Sequence, residues 1–175
     1  MAAGRTYQTI ASTSISATTS SVTFTSIPQT YTDIVLTMTP VLGTDSYPYM
    51  RFNSDSGNNY TDIYMNGNKS TFQGGVRTSN PRGYIAEYVT HLTDSNSKTN
   101  IIVNIFDYTE TNKHKTYLVR GNSPYTGTYT GIEFMCGRWA NTGAVTSITI
   151  GTAAGGVDYN LAAGTVISLY GIARA

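Results

Sequence analysis

His91 and His114 are the only histidines of the chain, Cys136 is its only cysteine, and ten carboxylates complete the set of groups that could be activated for catalysis. The acids are Asp33, Asp45, Asp55, Asp62, Glu87, Asp94, Asp107, Glu110, Glu133 and Asp158. The histidines lie far apart, each in or beside a strand-like pattern, and make no zinc site by spacing. A Ser-His-Asp triad can be assembled from distant residues, but the G-x-S-x-G elbow is missing. Paired carboxylates could hydrolyse a glycoside, yet spacing singles out no two of the ten. Cys136 sits in GIEFMCGRW, where Ile132, Phe134 and Cys136 share one face of a strand, so it reads as a small buried apolar residue and not a nucleophile. The loop NSDSGNN (53–59) places oxygens at alternate positions as a calcium loop does. The twelfth position falls on Tyr64, where a bidentate acid is needed, so Asp-Ser-Gly is read as turn chemistry. GTAAGG (151–156) precedes VDYN and not the helix that would hold a phosphate. These readings predict a protein that is not an enzyme and has no catalytic residues, cofactor or metal.

Aromatic side chains are the remaining signal. Tyr47, Tyr49, Tyr60, Tyr64, Tyr125, Tyr129 and Trp139 crowd near turns and strand ends. A tyrosine offers large contact area at low rotamer cost, with a hydroxyl at its tip. Tyr47, Tyr49, Tyr125, Tyr129 and Trp139 are therefore the candidate interface residues. The same rings with Asn and Asp nearby could grip a sugar, and cross-strand packing would use them too.

What must position these groups is a set of strands. Of 175 residues, 29 are Thr, 16 Ser, 17 Gly and 14 Tyr, and charged residues are only 12%. Thr and Tyr favour strands, and the strong helix formers are thin. In Ser20–Met38, Val22 and Phe24 alternate with Thr23 and Thr25, then Ile34, Leu36 and Met38 alternate with Val35 and Thr37, around an Ile27-Pro28 corner. Strand patterns recur at Tyr7–Ser12, Pro48–Asn53, Tyr60–Asn66, Thr71–Val76, Tyr84–Leu92, Thr99–Tyr108, Lys115–Arg120, Tyr129–Trp139, Ala144–Ile150 and Val166–Ile172. DSGNN suits a hairpin between Pro48–Asn53 and Tyr60–Asn66. TNIIVNIFDY has apolar residues on both faces and is expected to be a central strand covered on both sides. Ala153–Gly164 reads as a loop. The expectation is one domain over residues 1–175, an all-β antiparallel β-sandwich of jelly-roll type with Val22, Phe24, Ile34 and Leu36 in its core.

Bulk charge adds little drive toward a partner. The net charge is +1 and the basic residues are scattered, so neither nucleic acid nor an acidic partner is indicated. One cysteine fits folding in a reducing cytoplasm, and neither a signal peptide nor a membrane-length apolar run is present. So few charges suggest that much of the surface packs on neighbouring subunits.

The segments SSVTFTSIPQTYTDIVLTM (20–38), RFNSDSGNNYTDIYMNG (51–67) and the closing AVTSITI and GTVISLYGIARA resemble a family of small tailed-bacteriophage virion proteins, cyanophage members among them. The phrases SVTF-x-SIP-x-TYTD and RFN-x-D-x-G-x-NY carry most of the likeness, and residues 71–120 carry little. The resemblance implies a β-sandwich component of the virion, assembled in the host cytoplasm and in many cases trimeric. Its role would be that of a capsid decoration (cement) protein binding the major capsid protein or other virion proteins. The alternative it implies is a tail or fibre receptor-binding module, in which exposed Tyr and Trp139 recognise host surface polysaccharide. It brings no catalytic residues to transfer.

Overall fold

In the computed structural model, which describes residues 6–41, 46–68, 70–87, 99–123 and 131–173, the alternating segments form strands throughout and no helix. In chain order they are β1 (Tyr7–Ser14), β2 (Ser21–Phe24), β3 (Asp33–Thr39), β4 (Tyr47–Phe52), β5 (Tyr60–Asn68), β6 (Phe72–Asn80) and β7 (Gly83–Tyr84). There follow β8 (Asn100–Phe106), β9 (Lys115–Ser123), β10 (Gly131–Trp139), β11 (Ile148–Ala154), β12 (Val157–Tyr159) and β13 (Val166–Ile172).

Eight of these strands pair first with last and then inward from both ends: β1 with β13, β2 with β11, β3 with β8, and β4 with β7, all antiparallel. Rolling so long a hairpin onto itself yields two four-stranded runs, β1-β13-β3-β8 and β2-β11-β4-β7. That is a jelly roll, and the two antiparallel sheets pack as a sandwich. Four further strands lengthen the first run. The hairpin β5–β6, inserted between β4 and β7, and the pair β9–β10, inserted between β8 and β11, give the order β1-β13-β3-β8-β9-β10-β5-β6.

The core follows from the period of two. Ile34, Leu36 and Met38 of β3, Ile101, Val103 and Ile105 of β8, and Ile167 and Leu169 of β13 are buried against Phe24, Met50, Phe52, Ile148 and Ile150 of the other sheet. Val22 packs at the margin of this cluster, half-buried. The Ile27-Pro28 corner carries the chain from one sheet to the other: the Ile27 N–H donates to the Thr146 carbonyl at 3.0 Å, and the Pro28 carbonyl accepts the Tyr108 hydroxyl. Proline suits this position because it has no N–H to leave unpaired.

The structure corrects four sequence expectations. DSGNN does not close a hairpin: β4 belongs to the smaller sheet and β5 to the larger, so the loop is a crossing between sheets. Its shape comes from Asp55, whose carboxylate accepts from the Gly57 N–H (2.8 Å), the Asn59 amide (2.9 Å) and the Trp139 indole N–H (2.6 Å). β8 is central, between β3 and β9, but is covered on one side only; Ile102 and Phe106 face outward and are half-buried. Ala153–Gly164 is not a loop throughout, because β11 runs to Ala154 and turns back into β12. Gly155 and Gly156, at φ 57° and 84°, supply the two left-handed residues of that tight hairpin turn. The strand expected over Ala144–Ile150 begins only at Ile148, since the backbone N–H groups of Thr146 and Ser147 are taken by the Asn53 side-chain oxygen. Of the strand expected at Tyr84–Leu92, Gly83–Tyr84 is present and residues 88–92 lie outside the described residues.

Candidate interaction surface

A fifth expectation falls here, with the largest consequence. In β10 the alternation places Ile132, Phe134, Cys136 and Arg138 on one face, as expected, but that face is the outer one. Cys136 is exposed, and the buried set is Glu133, Met135, Gly137 and Trp139. Register then extends the outer row across two more strands. Phe134 stands opposite Met65 and Cys136 opposite Ile63 on β5, while Ile63 pairs with Val76 and Gly67 with Phe72 on β6. The exposures are 54% for Ile63, 48% for Met65, 75% for Phe72, 62% for Val76, 58% for Ile132 and 43% for Phe134. Arg138 is the only charged side chain that alternation directs outward on these three strands.

The added strands thus depart from an ordinary sandwich by turning a largely apolar row outward and placing charged groups inside. An antiparallel sheet normally turns its apolar face to the core and its polar face to water. Here the inner face of β5, β6 and β10 carries Asp62, Asn66, Arg77 and Glu133 beside the core residues Tyr60, Met135 and Trp139, and the outer face carries Ile63, Met65, Phe72, Val76, Ile132 and Phe134. Beside them a groove of about 520 Å³ runs between β5, β8, β9 and β10, lined by Ile63, Phe106, Leu118, Cys136 and the stem of Arg138. A second, of about 360 Å³, continues on the same face past Val35, Ile102, Arg120 and Tyr170. Six side chains at such exposure present on the order of 700 Å² of apolar-rich surface, above the roughly 300–600 Å² of the largest patch on a typical monomer.

The polar groups behind this face are engaged in structure. Asp62 is fully buried and accepts from the Tyr117 hydroxyl (2.8 Å) and the Tyr84 N–H (3.1 Å), with Arg77 at 3.4 Å. Burial outweighs these contacts and raises the Asp62 carboxyl above its usual value. Burial, followed by the neighbouring Asp62 charge, pushes the Tyr117 hydroxyl far up as well. Arg77 also pairs with Glu87 and is held between the rings of Tyr64 and Tyr84, each 4.6 Å from its guanidinium carbon. Tyr117 reaches Asp62 by crossing β10 directly over Gly137, where a Cβ would overlap its ring.

Lys115 is 0% exposed, and its ammonium donates to the carbonyls of Glu110, Lys113 (3.0 Å) and Thr142 (3.1 Å). It ties two loops together as a bound cation would, and desolvation lowers its pKa. The carboxylate of Asp55, in contrast, is held below its ordinary range: burial acts to raise it, but the three donors from Trp139, Asn59 and Gly57 prevail.

The sequence candidates fare unequally. Tyr49 and Trp139 are 2% and 1% exposed and offer no ring to a partner. Trp139 stacks on Tyr60 and packs at a tilt against Phe52, and Tyr49 lies within cation–π distance of the guanidinium groups of Arg51 and Arg82. Tyr47 is half-buried, edge-on to Tyr84. Tyr125 and Tyr129 lie outside the described residues, as do His91, Asp45 and Asp94. His114 is exposed. Among the other acids, Asp33 accepts from the Asp107 N–H, Asp107 pairs with Lys113, and Asp158 pairs with Arg82. Among the described residues no group of three or more His, Cys, Asp or Glu could hold a metal ion. The surface that sequence reading missed is the aliphatic one, although its signal was present in GIEFMCGRW and YTDIYMN. Compared with family models, curated proteins and solved structures, the chain matches none.

Proposed function

We propose that the chain is a structural subunit of a tailed-phage particle: a trimeric capsid decoration protein that binds the major capsid protein and stabilises the head. The observation that carries this reading is the outward apolar face of β5, β6 and β10. Such a face does its work when another protein covers it, and apolar contact with water exclusion supplies the binding energy without a cofactor. The small charged fraction agrees, because a surface that ends up between subunits needs few ions to keep it solvated. The phage assignment itself rests on the sequence resemblance. The receptor-binding alternative is weakened where it uses Trp139, whose indole is buried against Phe52 and Tyr60. Mass spectrometry of purified virions, followed by electron cryo-microscopy of the head, tests the reading. Hundreds of copies arranged on the capsid lattice are expected, whereas a handful of copies confined to the tail would overturn it.

A further inference from the structure

We infer that the partner covering the outer face of β5, β6 and β10 is a second copy of this chain. The inference rests on the assembly reading above and names the surface and its occupant.

Three observations favour a copy over a different protein. The first is charge. The face carries no carboxylate and a single arginine at one end, so two copies can meet without opposing like charges, and the net charge of +1 leaves little repulsion between whole molecules. A face selected for a charged partner would carry the complementary sign.

The second is area. About 700 Å² from each of two copies gives on the order of 1,400 Å², within the roughly 1,200–2,000 Å² of a specific, stable interface. One copy's patch is therefore large enough to be covered by another's.

The third is shape. Phe72 and Val76 project at the β6 border, while the 520 Å³ groove lies toward β9. A surface bearing both a projection and a recess can fill its own recess when a copy is docked on it. β6 also ends the sheet, so its outer edge has no neighbouring strand among the described residues. This nine-residue edge contains neither proline nor lysine, the residues that commonly block pairing with another chain.

Cys136 lies within this face and is the only thiol in the chain, which makes the contact directly measurable. Purified protein is examined by sedimentation velocity and light scattering from about 1 to 100 µM, and maleimide labelling of Cys136 is timed across the same range. The expected result is a mass that is a multiple of the monomer at high concentration, with labelling slowed at least about tenfold in the assembled species. Ile63→Glu with Phe134→Glu, which removes apolar contact and introduces two buried charges, is expected to weaken assembly by about 100-fold or more. Both positions are exposed within one chain, so the circular dichroism spectrum should be unchanged, as should the urea midpoint in solution dilute enough to dissociate the wild type. Three outcomes overturn the inference: wild-type protein that is monomeric at 100 µM, assembly that survives the double substitution, or assembled protein whose Cys136 reacts as fast as in dilute solution. The thiol measurement needs no variant and decides the matter even if the double variant fails to fold. A chain that assembles through this face yet is missing from virions would leave the inference standing and remove the decoration reading; a monomer bound to capsids would overturn the inference and the trimer while keeping the capsid contact.

Discussion

Replacing Asp55 by alanine removes the acceptor that shapes the crossing between the two sheets. Three donors lose their partner, but unequally. The Gly57 N–H and the Asn59 amide sit at the loop surface, where water takes over at little cost. The indole N–H of Trp139 belongs to a ring that is 1% exposed, and its 2.6 Å bond to Asp55 has no replacement nearby. A buried donor left unsatisfied costs about 1–3 kcal/mol, and the lost charge-assisted bonds bring the total to about 2–4 kcal/mol. At about 2–4 °C per kcal/mol for a chain of this size, the melting temperature should fall by roughly 4–16 °C. Trp139 is the only tryptophan, so its fluorescence during urea unfolding reports the transition at the altered site itself. Asp55→Asn keeps one oxygen and should cost less, about 1 kcal/mol. The difference also has a defined pH dependence. Because the folded carboxyl lies below its unfolded value of 3.8, its stabilisation is complete above that pH and is lost as pH falls through the folded value. The gap between wild type and Asp55→Ala should thus be constant near neutrality and narrow below pH 3.8. A gap within 0.5 kcal/mol at pH 7, the scatter of an ordinary surface substitution, would refute the reasoning.

The remaining expectations concern groups behind the apolar face. Asp62 has the opposite sign: its folded pKa is raised above 3.8, so its contribution is greatest below that pH and is lost as pH rises through the folded value. Asp62→Asn, which can still accept from Tyr117 and Tyr84 at the same oxygen, should flatten that dependence in urea midpoints measured from about pH 4 upward. Lys115→Met should lower stability by about 3 kcal/mol in urea unfolding, because it strands the carbonyls of Glu110, Lys113 and Thr142. Gly137→Ala should cost about 1–3 kcal/mol by driving the Tyr117 ring off β10. In a double-mutant cycle with Tyr117→Ala most of that cost should vanish, since the ring that clashes is gone.

The alternation in Ile34-Leu36-Met38, Ile101-Val103-Ile105 and Ile132-Phe134-Cys136 was legible because side chains in a strand change face at every residue. The same rule separates two faces without saying which one meets the core. For β3 and β8 the more apolar face is the inner one; for β10 it is the outer, and the decision is made by β5 and β6, far away in sequence. Glu133 and Asp62 lie inside because Tyr117, Arg77 and the Glu87 backbone are there to meet them. No local pattern encodes those partners. The DSGNN loop shows the same division. Its turn chemistry was readable, but whether the chain returns in its own sheet or crosses to the other is set by Trp139, 84 residues from Asp55. Tyr49 and Trp139 were read as contact residues from ring chemistry alone, and burial turned those rings inward.

The pairing of β1 with β13 makes the chain slow to complete itself. Ser12 and Ser168 share a hydrogen bond across 156 residues, so the first strand has no partner until the last has been synthesised. At about 5–20 residues per second the wait is roughly 8–30 s. During that interval the β5–β6 hairpin leaves the ribosome before β10, carrying Ile63, Met65, Phe72 and Val76 on a ribbon with both edges open. The face proposed above to join finished molecules is therefore a hazard between unfinished ones. The yield of folded protein should depend on how closely ribosomes follow one another along its message.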